Sequence, residues 1–161
     1  MELETKVLSR ELQQFLYDNG KTLSTAESCT GGRIAEAIIA TPGASNYFKG
    51  SIVCYTNEIK EKLLGVNHQI LEEKTAVCEE VATQMVQGAC EALNTDYAIS
   101  ATGYAGPSAG DTNGIPVGTI WIACGSKNNV TTLKLDEDFG RDINLAIATN
   151  KALRLFLDVI K

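Results

Sequence analysis

A chain of 161 residues, 44% hydrophobic and 21% charged, has the composition of a folded protein with one apolar core, which argues against disorder and low complexity. Its formal net charge of −6, with Lys and Arg scattered along the chain, argues against a nucleic-acid partner, which would call for a basic face. No apolar run approaches the length that spans a bilayer, and Met-Glu-Leu-Glu-Thr-Lys at the start lacks the basic and apolar regions of a secretory leader; the expectation is a cytoplasmic, single-domain protein over residues 1–161 with no membrane partner.

Five cysteines, Cys29, Cys54, Cys78, Cys90 and Cys124, are widely separated and form no C-x-x-C pair, so neither a disulfide framework nor a zinc site is indicated. His68 is the only histidine, which excludes a multi-histidine metal centre. In chain order, Leu8, Leu12, Phe15 and Leu16 share one side of an amphipathic helix over residues 4–19, closed by Asn19-Gly20. Thr22 to Glu27 reads as a short strand, and residues 31–40 as a helix stopped by Thr41-Pro42-Gly43. Ser28 to Gly32 is therefore a strand-to-helix turn carrying two hydroxyls, a thiol and two glycines. Its free N–H groups can face an anion beside Ser28, or Thr30 can simply cap the helix.

Phe48 to Tyr55 includes Ser51-Ile52-Val53-Cys54-Tyr55, a nearly continuous apolar run, the pattern of a strand buried on both faces. A helix follows with Thr56 or Asn57 as its cap, a buried stripe of Ile59, Leu63 and Leu64, and Gly65 at its end. Lys60 falls near its first turn, where the helix dipole and apolar neighbours would lower its pKa; the alternative is a solvated lysine like Lys62. His68 sits in a connector without a nearby nucleophile and receives no chemical role.

Residues 79–93 form another helix and Asp96 to Thr102 another strand, followed by a glycine-rich loop from Thr102 to Gly114 at the strand's C-terminal end, where open α/β sheets hold ligands. The loop fits neither a P-loop nor a dinucleotide fingerprint, so it reads either as a phosphate or ribose cradle or as an ordinary loop. Val117 to Cys124 and Val130 to Leu135 make an antiparallel hairpin around residues 125–129, with Trp121 in the core. Gly140-Arg141-Asp142 opens a last helix, and Arg141 can reach an anion or form a rim salt bridge. The fold class that follows is α/β: one three-layer α/β/α domain with a mixed, mainly parallel sheet and a C-terminal antiparallel hairpin.

Three segments taken together, Thr25-Ala26-Glu27-Ser28-Cys29-Thr30-Gly31-Gly32, Tyr55-Thr56-Asn57-Glu58-Ile59-Lys60 with Leu64-Gly65-Val66, and Thr102-Gly103-Tyr104-Ala105-Gly106-Pro107, resemble the CinA C-terminal-domain family from about residue 5 to the final helix. Stand-alone members of that family are nicotinamide-nucleotide amidases. The resemblance implies hydrolysis of the carboxamide of nicotinamide mononucleotide to nicotinate mononucleotide and ammonia, a step of pyridine-nucleotide salvage. It further implies a serine–lysine dyad without metal or other cofactor, a small-molecule nucleotide substrate, and a homodimer. Carried over residue by residue, it places the nucleophile on Ser28 and its base on Lys60, with Tyr55, Asn57 and Thr102 as polar neighbours. Backbone N–H groups from Cys29 through Thr30 and Gly31 to Gly32 would hold the oxyanion, and Thr30, Arg141 and the loop of Gly103, Ala105 and Gly106 would suit ribose and phosphate. Tyr104 stands where the family commonly has isoleucine, and Leu145 where the last helix often has a second arginine. These departures motivate a second reading, a non-catalytic nucleotide-binding or regulatory module tied to competence or the DNA-damage response.

Overall fold

A computed structural model describes residues 2–108 and 113–160. Helix α1 (Leu3–Asn19) leads into β1 (Leu23–Glu27), the short helix α2 (Arg33–Ile39), β2 (Phe48–Val53), α3 (Asn57–Leu64), α4 (His68–Lys74) and α5 (Glu79–Leu93). Strand β3 (Tyr97–Gly103), the hairpin β4 (Ile120–Ser126) and β5 (Asn129–Leu135), and helix α6 (Arg141–Ile160) complete the chain. The five strands lie in the order β2-β1-β3-β4-β5. Both neighbours of β1 run parallel to it, while β4 and β5 are antiparallel. This is the mixed sheet with a C-terminal hairpin that the sequence predicts.

Alternation along the strands divides the interior into two cores. Leu23, Ile99, Ala101, Ile120 and Ile122 pack under α1, α2 and α6 with Leu12, Ile38, Leu153 and Phe156. Ala26, Ala98 and Ala123 pack on the other side under α5 with Val81, Met85 and Val86. Small side chains on that second face let α5 lie close to the sheet. Gly88 continues the same logic outward: a Cβ there would lie 2.1 Å from the carbonyl oxygen of Leu64, so only glycine lets the end of α3 rest on α5.

Five expectations need correction. The strand expected from Phe48 to Tyr55 is not buried on both faces, because β2 is an edge strand and Val53 is 48% exposed. The strand buried at every position is the more polar β1, which lies between β2 and β3. Leu63 points to solvent, and the buried face of α3 is instead Lys60 and Leu64, one helical turn apart. Trp121 is half-buried, packed against the α5-side core with the Lys134 ammonium 5.8 Å from its ring centre. The hairpin is also tighter than predicted, since Ser126 pairs with Asn129 across Lys127-Asn128. His68 opens helix α4, which Asn67 caps by accepting the Ile70 N–H at 3.0 Å.

Candidate active site

The parallel strands β2, β1 and β3 end side by side, with Glu27 in register with Val53 and with Ala101. The residues that follow them therefore meet at one end of the sheet: Cys54 and Tyr55, Ser28 and Cys29, and Thr102 to Gly106. All of these but the fully buried Cys54 line a cavity of ≈ 390 Å³ together with Asn57, Lys60, Ser108 and Arg141. Ser28, Cys29, Tyr55, Asn57, Lys60, Thr102, Gly103, Ala105, Gly106 and Arg141 are thus brought together as the sequence reading expects. Thr30, Gly31 and Gly32 do not line it. The loop residues Ala109, Gly110, Asp111 and Thr112 lie outside the described residues.

At the floor, Lys60 Nζ lies 2.9 Å from Ser28 Oγ, 2.8 Å from the Cys54 carbonyl oxygen and 3.5 Å from that of Tyr55. Thr56 caps α3 by accepting the Ile59 N–H, which settles the choice between Thr56 and Asn57 and turns Lys60 inward. The lysine is 1% exposed, so it is not a solvated surface residue, and none of the ion pairs among the described residues involves it. Burial without a carboxylate partner pushes its pKa below the ordinary 10.5. A neutral amine here has two hydrogens for the two carbonyls and a lone pair facing the Ser28 hydroxyl. The ammonium would find an acceptor for each of three hydrogens in the same places, so the site satisfies both protonation states.

Cys29 is the neighbouring nucleophile candidate, and burial pushes its thiol up to about 12, which keeps it protonated and unreactive near neutrality. Thr102 is 1% exposed, and its hydroxyl donates to the Ala76 carbonyl at 3.0 Å. Tyr55 is 63% exposed and stands at the rim, and its link to the lysine is through its backbone carbonyl.

The turn after β1 departs most from expectation. Thr30 does not cap α2; that helix starts at Gly32 in the left-handed region (φ 105°), with no cap from its own side chains. Its N–H groups are taken by Glu27, a fully buried carboxylate that accepts from Gly32 N at 3.2 Å, Ile34 N at 2.8 Å and Ala35 N at 2.9 Å. The Thr30 hydroxyl donates to the same carboxylate at 2.8 Å. Gly31 N donates to the Ser28 carbonyl at 3.1 Å, so Gly31 and Gly32 have no N–H free for a ligand. Of the four N–H groups predicted to hold an oxyanion, only those of Cys29 and Thr30 have no backbone or carboxylate acceptor among the described residues.

Arg141, at the start of α6, donates to the Gly106 carbonyl at 2.7 Å and so stands at the cavity edge beside the loop. Sequence reading misses the residue that fixes it there: Asn144, 3% exposed, donates to Ala105 O at 3.0 Å and to Asp138 Oδ1 at 2.9 Å. Leu145 is 1% exposed in the core and does not line the cavity, whereas Tyr104 does. Also missed is the wall made by Leu71, Thr75, Ala76 and Val77. Thr75 has φ 66° and ψ 179°, a conformation strained for a β-branched residue. A non-glycine residue in that conformation leaves no mark in the sequence. Among the described residues no three His, Cys, Asp or Glu side chains are placed to hold a metal ion, and no helix is long and apolar enough to cross a membrane.

Fold and site together define an α/β domain with a buried serine–lysine pair at the C-terminal end of its parallel strands. The chain belongs to the CinA family: the model of the CinA C-terminal domain matches residues 5–160. A CinA-like protein of Shewanella piezotolerans is 42% identical over 158 residues, covering 95% of this chain and 37% of the relative. One from Flavobacterium psychrophilum is 38% identical over 159 residues, covering 98% of this chain and 38% of the relative. The chain thus spans little more than a third of the length of these relatives. Among solved structures, a CinA superfamily protein of Escherichia coli superposes with a TM-score of 0.92 at 36% identity, covering 96% of this chain and 90% of that one. The competence/damage inducible protein CihA of Agrobacterium tumefaciens gives 0.93 at 32%, covering 100% of both.

Proposed function

We propose that this protein is a serine–lysine amidohydrolase that converts nicotinamide mononucleotide to nicotinate mononucleotide and ammonia. The observation that carries the reading is Lys60 Nζ, 1% exposed and 2.9 Å from Ser28 Oγ, with no carboxylate paired to it among the described residues. Burial lowers the amine's pKa and so favours the free base that a serine hydroxyl, which cannot attack an amide unaided, requires.

In the first half-reaction Ser28 Oγ attacks the carboxamide carbon while its proton passes to Lys60 Nζ. The negative charge on the carbonyl oxygen is met by the N–H group of Cys29, which lines the cavity, a donor of this kind contributing roughly 10²–10³ in kcat. Collapse of the tetrahedral species breaks the C–N bond, and Lys60 returns the proton to the departing ammonia. Water then attacks the acyl-serine ester, giving its proton to Lys60, and the ester bond breaks as that proton returns to Ser28 Oγ. Arg141 and the Gly103 to Gly106 loop, lining the same cavity, would meet the ribose phosphate. A homodimer belongs to the same proposal and is read from the mass in solution by light scattering.

Ammonia release from nicotinamide mononucleotide, nicotinamide riboside and nicotinamide tests the reading. Ser28→Ala and Lys60→Ala are each expected to abolish release while keeping the wild-type circular dichroism spectrum. Full activity in either folded variant would remove the dyad. A non-catalytic module remains the second reading, favoured by the large Tyr104 side chain in the cavity lining and by the competence and damage names of the structural neighbours. Calorimetric binding of a nucleotide with no turnover of any amide would select it; multiple turnovers would discard it.

A further inference from the structure

The carboxylate of Glu27 takes no part in the acyl transfer above, yet it is wholly buried and surrounded by donors. We propose that Glu27 is a positioning residue that fixes both members of the Ser28–Lys60 pair, an inference that rests on the amidohydrolase reading. Ordinary capping does not account for it. Helices α1 and α5 are longer than α2 and have no side-chain cap, while Thr56 and Asn67 cap α3 and α4 with neutral oxygens. Burying a carboxylate costs several kcal/mol unless hydrogen bonds replace its hydration. Here they do: besides the three α2 N–H groups and Thr30, the hydroxyls of Thr25 and Ser51 lie 3.0 Å and 3.3 Å from Oε2.

The outcome is a closed loop of bonds around the dyad. Through its side chain Glu27 holds the first turn of α2, and through the chain itself it holds Ser28, whose N–H donates to Ala101 O at 2.9 Å. Its own carbonyl accepts the Cys54 N–H at 2.9 Å. The Cys54 carbonyl in turn accepts from Lys60 Nζ at 2.8 Å, and Lys60 Nζ meets Ser28 Oγ at 2.9 Å. A shift of Glu27 therefore moves nucleophile and base together. It also closes the N-terminus of α2 to any outside anion, leaving the Cys29 N–H group to serve the reaction.

Glu27→Gln tests this, because it keeps the volume but removes the charge and sets an NH₂ against an N–H that now finds a carboxylate oxygen. Two readouts are taken per folded molecule: the rate of Ser28 sulfonylation by phenylmethanesulfonyl fluoride, and the pH profile of ammonia release from nicotinamide mononucleotide. In the labelling step the Ser28 O–S bond forms, the S–F bond breaks and the hydroxyl proton leaves through Lys60 with fluoride. The expected result is labelling slowed about 10²-fold, as for a misplacement of about 1 Å, with KM within about twofold of wild type. The acid limb should also move to higher pH by about one unit as water reaches a loosened Lys60. Loss of folded protein alone would scale the profile without moving its limb. Labelling within about threefold of wild type, with an unmoved limb, would overturn the positioning role while leaving the dyad intact. A wild-type protein that is not labelled at Ser28 would overturn the dyad reading itself and this inference with it. Should Glu27→Gln fail to fold, Thr30→Val removes one donor and keeps the shape; labelling about fivefold slower supports the role, and an unchanged rate overturns it.

Discussion

Gly88 lies in α5, outside the cavity lining, yet substituting it should reach the dyad. A Cβ at that position would fall 2.1 Å from Leu64 O and 2.8 Å from Leu64 C and Cα, and approaches under 3.0 Å essentially never occur. Since the obstacle is backbone on a packed helix, no rotamer change relieves it; the end of α3 has to retreat by about 1 Å. Lys60 is one turn back on the same buried face, 2.9 Å from Ser28 Oγ, so the retreat carries Nζ to the edge of hydrogen-bond range. Gly88→Ala should therefore lower kcat about 10²-fold with a smaller change in KM. Overpacking should also cost about 1–3 kcal/mol of stability, against a gain of at most about 1 kcal/mol from alanine's better helix propensity. Ammonia release per folded molecule and urea unfolding measure the two quantities. Wild-type kcat together with an unchanged or raised unfolding midpoint would show that the α3–α5 contact does not set the lysine's position.

The remaining expectations concern the thiol, the amine and the strained wall. Cys29→Ala should retain turnover within about tenfold, since a thiol raised to about 12 by burial is not the nucleophile; loss comparable to that in Ser28→Ala would reverse the assignment. For Lys60, burial lowers the folded pKa below 10.5, so between that lowered value and 10.5 the unfolded chain binds more protons and stability rises with pH. Over the same approach kcat/KM should climb as the amine loses its proton; a rate limb at or above 10.5 would mean that Lys60 is not the base. Thr75→Gly relieves strain of about 1–3 kcal/mol against an unfolded-state entropy cost of about 0.4–1 kcal/mol and the loss of the Val77 N–H acceptor. The variant should be at least as stable as wild type in urea, and a lower midpoint would show that the hydroxyl outweighs the strain.

Most elements were legible because their signals are local. Gly20 and Gly65, both in left-handed conformations, end α1 and α3 where the sequence marks them, and the apolar spacing of residues 79–93 matches α5 residue for residue. Periodicity failed where burial depends on a strand's neighbours. Ile52 and Val53 are apolar but lie on the edge strand, whereas Ser24, Thr25 and Glu27 are fully buried because β1 has a strand on each side. Lys60 could be singled out from its place near a helix start, but its burial could not, because it depends on the end of α3 resting on α5 at Gly88.

Glu27 shows why the site's chemistry was less legible than its location. Seen along the chain, the turn from Ser28 to Gly32 offers a run of free N–H groups, and an anion from outside is the natural occupant. In three dimensions the occupant is already supplied by the preceding residue, because the end of a central strand and the start of the next helix are close enough for one carboxylate to bridge them. The helix dipole that would have favoured an incoming anion is then directed at Glu27, and the proposed site must stabilise charge with the Cys29 N–H group and a lysine rather than with a helix end. Two buried groups, one bonded to three α2 N–H groups and the Thr30 hydroxyl and the other held among carbonyls with no ion-pair partner among the described residues, divide structural anchoring from acid–base work. For that reason Glu27→Gln and Lys60→Ala should differ in kind: the first should move the pH limb that the second removes.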